Sequence, residues 1–550
     1  MRRIVMPAWV LLLSSLFAIA APARAQECFQ DPNDPGAADP SADCVPGGIP
    51  FNAREGFRDP ATANNFSLSP PGARSLAMGG AFLGLADDAT AAYTNPAGLT
   101  NLAVGGSEVA IEIRGASFTS EFVDRGHYNT DGVTPPDLTF VGQDFVEDLQ
   151  LGNAQGDESG LSFLSYGFVL PGGLTAAVYR HEVGNFQSGF EAQGPFNDFN
   201  CGGDLSQREC DLYRVNPSRS SIAVEIVNYG VSAAFAFDVG SASSLSVGLG
   251  VSYYEAEMDR TAESFALCRF DVYDPDEPVW LIGDPTDPTQ LQYPCTQNEG
   301  RSRMPGAFYG TPDFSRDNSV SFTNEVANDE AFGVNLGFLW KIGRERRLSV
   351  GGVFRQGPQF DSVQESFFDD AEFGEPDFVQ SPGTLTIPDV FGLGVAYRTA
   401  DGKTRITFDW NRVRYSQTLG DFTSNLGVVC LDNPPPDPSE PCVEPGEDFS
   451  QSFALDDIDQ FHFGLERIVL VVESLFVGSA RLGAWFEPNH TPLYIGNDND
   501  LNAAFGYEPD DVLHLSLGFG LVIKEDYQLD FAANFSDVSD IYSFSLVKFF

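Results

Sequence analysis

The chain has 550 residues, 13% of them aromatic, and sets 78 Asp and Glu against 31 Lys and Arg for a formal charge of −47. A surface this acidic repels nucleic acid and excludes a nucleic-acid partner. A mean hydropathy of −0.13 does not separate a soluble protein from a strand barrel, since barrel strands carry their apolar residues in alternation.

The first residues read as an export signal. Arg2 and Arg3 precede an apolar stretch from Met6 to Ala21, and Ala23-Arg24-Ala25 has the A-x-A form of a cleavage site. Pro7 and Ser14-Ser15 interrupt the stretch, which is short for a spanning helix. Residues 1–25 are therefore expected to be removed, and Cys28 stands too far from the cut for a lipoprotein. An acidic, Pro-rich extension follows over 26–71. No later segment has the ~20 consecutive apolar residues that a membrane helix needs.

Residues 72–106 form a separate segment, rich in Gly and Ala and poor in alternation. It contains Asn95-Pro96-Ala97-Gly98. Pro96 fixes its own φ and pushes Asn95 toward an extended conformation, while the Asn side chain can satisfy nearby backbone groups. Small residues let such a segment pack closely against a wall. Alone, N-P-A-G is an ordinary turn. Asp87-Asp88 could be read as paired carboxylates, but acids in this setting more often orient backbone amides.

From 107 to 550 the pattern has period two. Leu513, Leu515, Leu517, Phe519, Leu521 and Ile523 alternate with His514, Ser516, Gly518, Gly520 and Val522. Similar outward sets are Val109/Ile111/Ile113, Val231/Ala233/Phe235/Phe237, Phe332/Leu336/Phe338/Trp340 and Phe391/Leu393/Val395/Tyr397. Short turns at 171–173, 240–244, 343–347, 399–403 and 524–526 alternate with long polar connections at 120–160, 184–220, 260–328 and 417–455. The final strand places Tyr542, Phe544, Leu546 and the terminal Phe550 on one face, with Lys548 near enough to the end to snorkel. A soluble sandwich could also end on Phe, but strand number, alternating connections and export signal together predict otherwise. The fold class is all-β: a transmembrane antiparallel barrel of about fourteen strands over 107–550, in the outer membrane of a Gram-negative-type bacterium.

No G-x-S-x-G, H-E-x-x-H, phosphate loop or dinucleotide fingerprint occurs, so no catalytic residue, metal ligand or cofactor is assigned and no enzyme is expected. The acidic stretches do not reproduce a calcium loop and read as solvated loop surface. The eight cysteines form the sequence-local sets Cys28/Cys44, Cys201/Cys210, Cys268/Cys295 and Cys430/Cys442. In an exported chain without C-x-x-C or clustered His, these read as disulfides in loops and extension.

The run G-A-R-x-x-x-M-G-G-A-F…A-D-D-A-T-A-A-Y-x-N-P-A-G-L, followed by strands to a terminal Phe, resembles the FadL-type family. The similarity extends to TIPDVFGLGVAYR (386–398) and RITFDWNRVRYSQ (405–417). That family transports long-chain fatty acids and, in relatives, aromatic hydrocarbons such as toluene. The resemblance implies that 72–106 is a hatch plugging the lumen, anchored by Asn95, Pro96 and Ala97. It further implies passive uptake of a hydrophobic ligand, chiefly long-chain fatty acids, with hatch movement and lateral release. The cysteine-stapled acidic loops and the long extension depart from it. Partners would be the ligand, outer-membrane lipid and lipopolysaccharide, and the barrel assembly machinery, around a monomer. The alternative is a shuttle barrel of type IX secretion, where a similar G-A-R…N-P-A segment occurs. A carboxylate ligand would need an inward cation. Arg355 points inward by alternation, and a one-residue bulge near Asn411 would turn Arg412 and Arg414 inward while sending Val413 and Tyr415 outward. Such arginines either pair with lumen carboxylates such as Asp409 or accept a ligand carboxylate.

Non-reducing peptide mapping should recover Cys28–Cys44, Cys201–Cys210, Cys268–Cys295 and Cys430–Cys442; free thiols throughout would refute the loop staples.

Overall fold

The computed structural model describes residues 70–104, 106–125, 150–193, 196–199, 211–214, 217–240, 242–265, 302–303, 319–368, 377–420, 452–472, 475–495 and 511–550. The export signal, most of the extension and all eight cysteines lie outside these residues.

Alternation becomes strands. β1 (Glu108–Arg125), β2 (Gln150–Val169), β3 (Thr175–Ala192), β4 (Ser218–Val239), β5 (Ser243–Phe265) and β6 (Ser319–Ile342) are paired antiparallel in sequence order. β7 (Leu348–Arg355) is followed after a short break by β8 (Gln359–Phe368), and β9 (Asp377–Thr386) leads likewise into β10 (Val390–Arg398). β11 (Thr404–Val413), β12 (Ile458–Val472), β13 (Phe476–Glu487), β14 (Val512–Ile523), β15 (Tyr527–Phe535) and β16 (Ser539–Phe549) complete the sheet. β16 pairs back onto β1, from Glu108↔Phe549 to Phe118↔Ser539. β6 pairs with both β5 and β7, and β7 with β10, so the ring is a closed antiparallel barrel of fourteen strands. The hairpin β8–β9 extends two of these strands beyond the ring.

The outer face is apolar. Ile113, Val231, Leu249, Phe332, Leu482 and Phe519 each expose half or more of their surface. Trp340, Tyr397 and Tyr527 stand at the short-turn end of this belt, and Tyr229 and Trp410 toward the other. Closure pairs each strand of the ring with a neighbour on both sides along at least part of its length, and aromatic residues suit both interfaces. This is the architecture of an outer-membrane barrel. Lys548 does not break the belt: its ammonium lies 4.1 Å from the Tyr527 ring and 3.8 Å from Asp526.

The connections at 170–174, 343–347, 399–403 and 524–526 are short, as predicted. One connection at the opposite end is also short, between β15 and β16, where Ser536 Oγ accepts from the Ser539 amide at 2.9 Å. Inside the ring lie α1 (Ala73–Ala77), α2 (Ala91–Thr94) and a 3₁₀ run (Pro96–Val104), with Leu76, Phe82, Leu83, Leu99 and Leu102 fully buried. α1 packs on β14 and β15, and the 3₁₀ run on β4, β5 and β6.

With the short turns on the periplasmic side, proteinase K added to intact cells should cut within 260–328 or 417–455 and spare the 399–403 turn. Cleavage at that turn would reverse the orientation.

Candidate functional site

Helices of four to nine residues cannot satisfy their own terminal carbonyls and amides. The barrel wall does it for them. Ser349 donates to the Gly84 carbonyl (2.6 Å), Ser232 to Ala92 (2.6 Å), Ser165 to Ala89 (3.1 Å) and Asn335 to Tyr93 (2.5 Å). The Leu83 amide donates to Asp409 and the Gly72 amide to Glu112, each at 2.7 Å. Asn95 Nδ2 donates at 3.0 Å to the carbonyls of Leu83 and of Phe338 in β6, while its Oδ1 accepts from the Ala97 amide. Pro96 and Ala97 rest on Gly248 and Gly337, where any Cβ would overlap them.

A buried ion network joins the same segment to the wall. Arg74 pairs with Asp87 at 2.6 Å and with Glu466 of β12 at 3.0 Å. Glu466 also holds Arg481 of β13 at 2.9 Å, and Arg481 holds Asp530 of β15 at 2.7 Å. Asp88 lies 3.6 Å from Arg74 and also accepts from the amide and hydroxyl of Thr90, so of the two acids Asp88 orients a backbone amide while Asp87 serves as an ion-pair partner. Arg74 was not singled out from the sequence; its one signal was the conspicuous cation in an otherwise small-residue run.

Above this segment the lumen narrows to a polar collar. His181, Asn228 and Tyr254 are register neighbours on β3, β4 and β5, and all face inward. The Tyr93 ring of α2 lies 4.2 Å from His181, and the Arg355 guanidinium carbon lies 5.1 Å from the centre of the same ring. Arg355 is 7% exposed and has no carboxylate partner among the described residues. Both ring nitrogens of His181, both amide atoms of Asn228, Oδ1 of Asn335 and Nε of Arg355 are buried without hydrogen-bond partners there. Outward of the collar, Val183, Ile222, Val224, Ile226, Met258 and Phe360 form an apolar inner wall. The inner wall is thus apolar outward of the collar and polar at it, where Arg355 supplies a buried cation. Of the collar, only Arg355 was expected from sequence.

Arg412 and Arg414 do not join it. The register of β11 with β10 and β12 is unbroken from Thr404 to Val413, so the bulge expected near Asn411 is absent. Val413 and Tyr415 are buried rather than outward. Arg412 stays on the outward face, 2.9 Å from Asp459, and Arg414 lies past the strand end, 3.2 Å from Asp389. Both line the outer end of an apolar groove of about 740 Å³ on the lipid face, between Phe338, Gly352 and Leu393. Their charges are met by carboxylates at the interface, so no inward turn is needed. Asp409, proposed as a lumen partner for these arginines, is occupied by the Leu83 amide instead.

The ladder between β2 and β3 is incomplete. β2 and β3 are hydrogen-bonded only from Phe163↔His181 to Val169↔Thr175. Farther out, β2 remains paired to β1 and β3 to β4, with a bulge between Glu182 and Gly184. One side chain reaches across: Arg180 of β3 donates to the Leu161 carbonyl of β2, and within β3 it donates at 3.0 Å to Glu182, which also accepts from Asn185 at 3.3 Å.

No family model and no curated relative matches the chain. Among solved structures, it is similar to the CymD monoaromatic hydrocarbon channel (13% identity, TM-score 0.42, 88% of this chain and 99% of that one). It is also similar to the Ralstonia pickettii toluene transporter TbuX (12%, 0.44, 88% and 99%) and the P. putida toluene transporter TodX (12%, 0.42, 88% and 99%).

Glu466→Gln would leave Arg74 and Arg481 without their shared carboxylate, a loss of about 3–5 kcal/mol for a broken buried pair. Amide exchange over 72–90 should accelerate while β12–β14 stay protected; unchanged exchange would show that the network does not hold the segment.

Proposed function

We propose that this barrel is a passive outer-membrane transporter of FadL type for hydrophobic small molecules, and that its ligand is an amphiphile with a carboxylate head, such as a long-chain fatty acid. The observation that carries the reading is the buried guanidinium of Arg355, which has no carboxylate partner among the described residues, beside an apolar inner wall that would form the chamber for the ligand's chain. A water-filled pore would line this level with polar side chains. A neutral hydrocarbon would fill the chamber but would leave the buried guanidinium unmatched.

In this reading the chain enters among Val183, Ile222 and Phe360, and the head reaches Arg355, with His181, Asn228 and Asn335 offering further polar atoms. Residues 72–104 act as the hatch, their docking to β6 led by Asn95. Release is lateral, through the parted β2–β3 wall just outward of His181, into the outer leaflet. Such a ligand crosses hydrocarbon readily and is stopped only by the polar saccharide layer, so delivery to lipid suffices and no energy source is required.

The test is binding of a long-chain acid and its neutral alcohol to the purified protein, with Arg355→Gln. A charge-assisted hydrogen bond contributes about 1.5–3 kcal/mol, so the variant should bind the acid roughly ten- to a hundredfold more weakly and the alcohol unchanged. Equal effects on both would remove the carboxylate site; no binding of either by the wild type would remove the transport reading.

A further inference from the structure

Although the chain is strongly acidic, the short-turn end of the barrel carries a basic arc. Arg344, Arg346 and Arg347 lie on the β6–β7 turn, Arg398 and Lys403 flank the β10–β11 turn, and Arg467 stands near the same end of β12. These strands are contiguous in the ring, in the order β6-β7-β10-β11-β12. The same turns contribute two carboxylates, Glu345 and Asp401. Asp401 is occupied by Thr399 and the Lys403 amide, and Glu345 by Arg347. Arg344 and Lys403 are exposed and have no ion-pair partner among the described residues.

The rest of the rim differs. On β14–β16, Lys524 and Lys548 are balanced by Glu525 and Asp526. The turn 170–174 carries no charge, and Asp238 is the nearest ionised residue at the β4–β5 turn. The cations are therefore gathered on one sector, directly below the exposed Trp340 and Tyr397 that mark the edge of the apolar belt.

We propose that this arc binds anionic phospholipid headgroups of the periplasmic leaflet. Short turns of outer-membrane barrels face the periplasm, which sets the arc at headgroup height beneath an aromatic girdle. Clustered Lys and Arg at that level recognise anionic lipid phosphates, and guanidinium groups can grip a phosphate through two parallel bonds. Placement against the girdle, on the lipid-facing circumference, favours a lipid over an acidic protein. One sector would then carry a fixed anionic annulus while the β2–β3 side, with its uncharged turns, stays free of it.

The experiment uses the full barrel in mixed micelles of phosphatidylglycerol and phosphatidylcholine, with retained lipid counted by native mass spectrometry. Wild type should retain phosphatidylglycerol in several-fold excess. Arg344→Gln with Lys403→Gln should lose most of that excess, whereas Lys524→Gln with Lys548→Gln, an equal change of net charge, should keep it. The charge-conserving pair Arg344→Lys and Arg346→Lys should also keep it. Heat-modifiable gel mobility verifies that each barrel is folded. Equal retention of the two lipids by wild type overturns the proposal, as does an undiminished excess in the arc variant or an equal loss in the control. Preference for an acidic peptide without preference between lipids would assign the arc to a protein partner and likewise overturn it.

Discussion

Hydrocarbon offers a backbone amide no partner, and every other feature of this barrel follows from that constraint. Fourteen strands pair edge to edge until β16 meets β1, which leaves the lipid facing only side chains. The ladder can be interrupted only where something else satisfies the freed groups. Both interruptions in the wall obey this. Between β2 and β3, Arg180 reaches across to the Leu161 carbonyl, held in turn by Glu182 of its own strand. At the breaks between β7 and β8 and between β9 and β10, Asp389 takes over: it accepts from the Gly357 amide at 3.0 Å, from Arg414 at 3.2 Å and from Gln417 at 3.1 Å. One carboxylate thus supports two breaks and fixes the end of β11.

The same rule explains residues 70–104. A ring of this circumference encloses more space than its inward side chains fill, and an irregular segment can occupy that space only if its carbonyls find donors. The inward positions of the strands supply them as Ser165, Ser232, Asn335 and Ser349, with Asp409 and Glu112 accepting from amides. The polar residues that alternate with the greasy face do more than line a wet lumen; they are the other half of the segment's secondary structure. The small residues of the run and the wall glycines Gly248 and Gly337 bring the two backbones close enough for these bonds to form.

Much of the fold was legible because alternation is local. The outward sets from Val109 to Ile523 read directly as lipid contacts, and the short turns separated themselves from long connections. The arginines of β11 were misread for a physical reason. Charge in lipid argued for a bulge, yet the strand carries Arg412 only to the interface, where Asp457 and Asp459, more than forty residues on, meet it. No local pattern announces that meeting. The collar was hidden differently. His181, Asn228 and Asn335 occupy inward positions, but so do dozens of polar residues in a barrel, and only their convergence over Tyr93 distinguishes them. The link between Arg74 and Glu466 spans 392 residues.

The arrangement bears on which way a ligand at the collar would leave. Straight passage toward the short turns meets the Arg74–Glu466–Arg481–Asp530 network, the Asp409 and Glu112 contacts, and the pair of bonds from Asn95. These are buried, charge-assisted and mutually supporting, so opening the full lumen would break many of them together. Sideways passage just outward of His181 meets no β2–β3 ladder. There the Arg180 side chain donates across to the Leu161 carbonyl from a partly exposed position, and farther out the Gln187 backbone lies against Gly156 of β2. For an apolar chain the surroundings on the far side are lipid rather than water, so escape there costs no hydration of the chain. The 72–104 segment is therefore held to the wall by many more bonds than join β2 to β3 outward of His181.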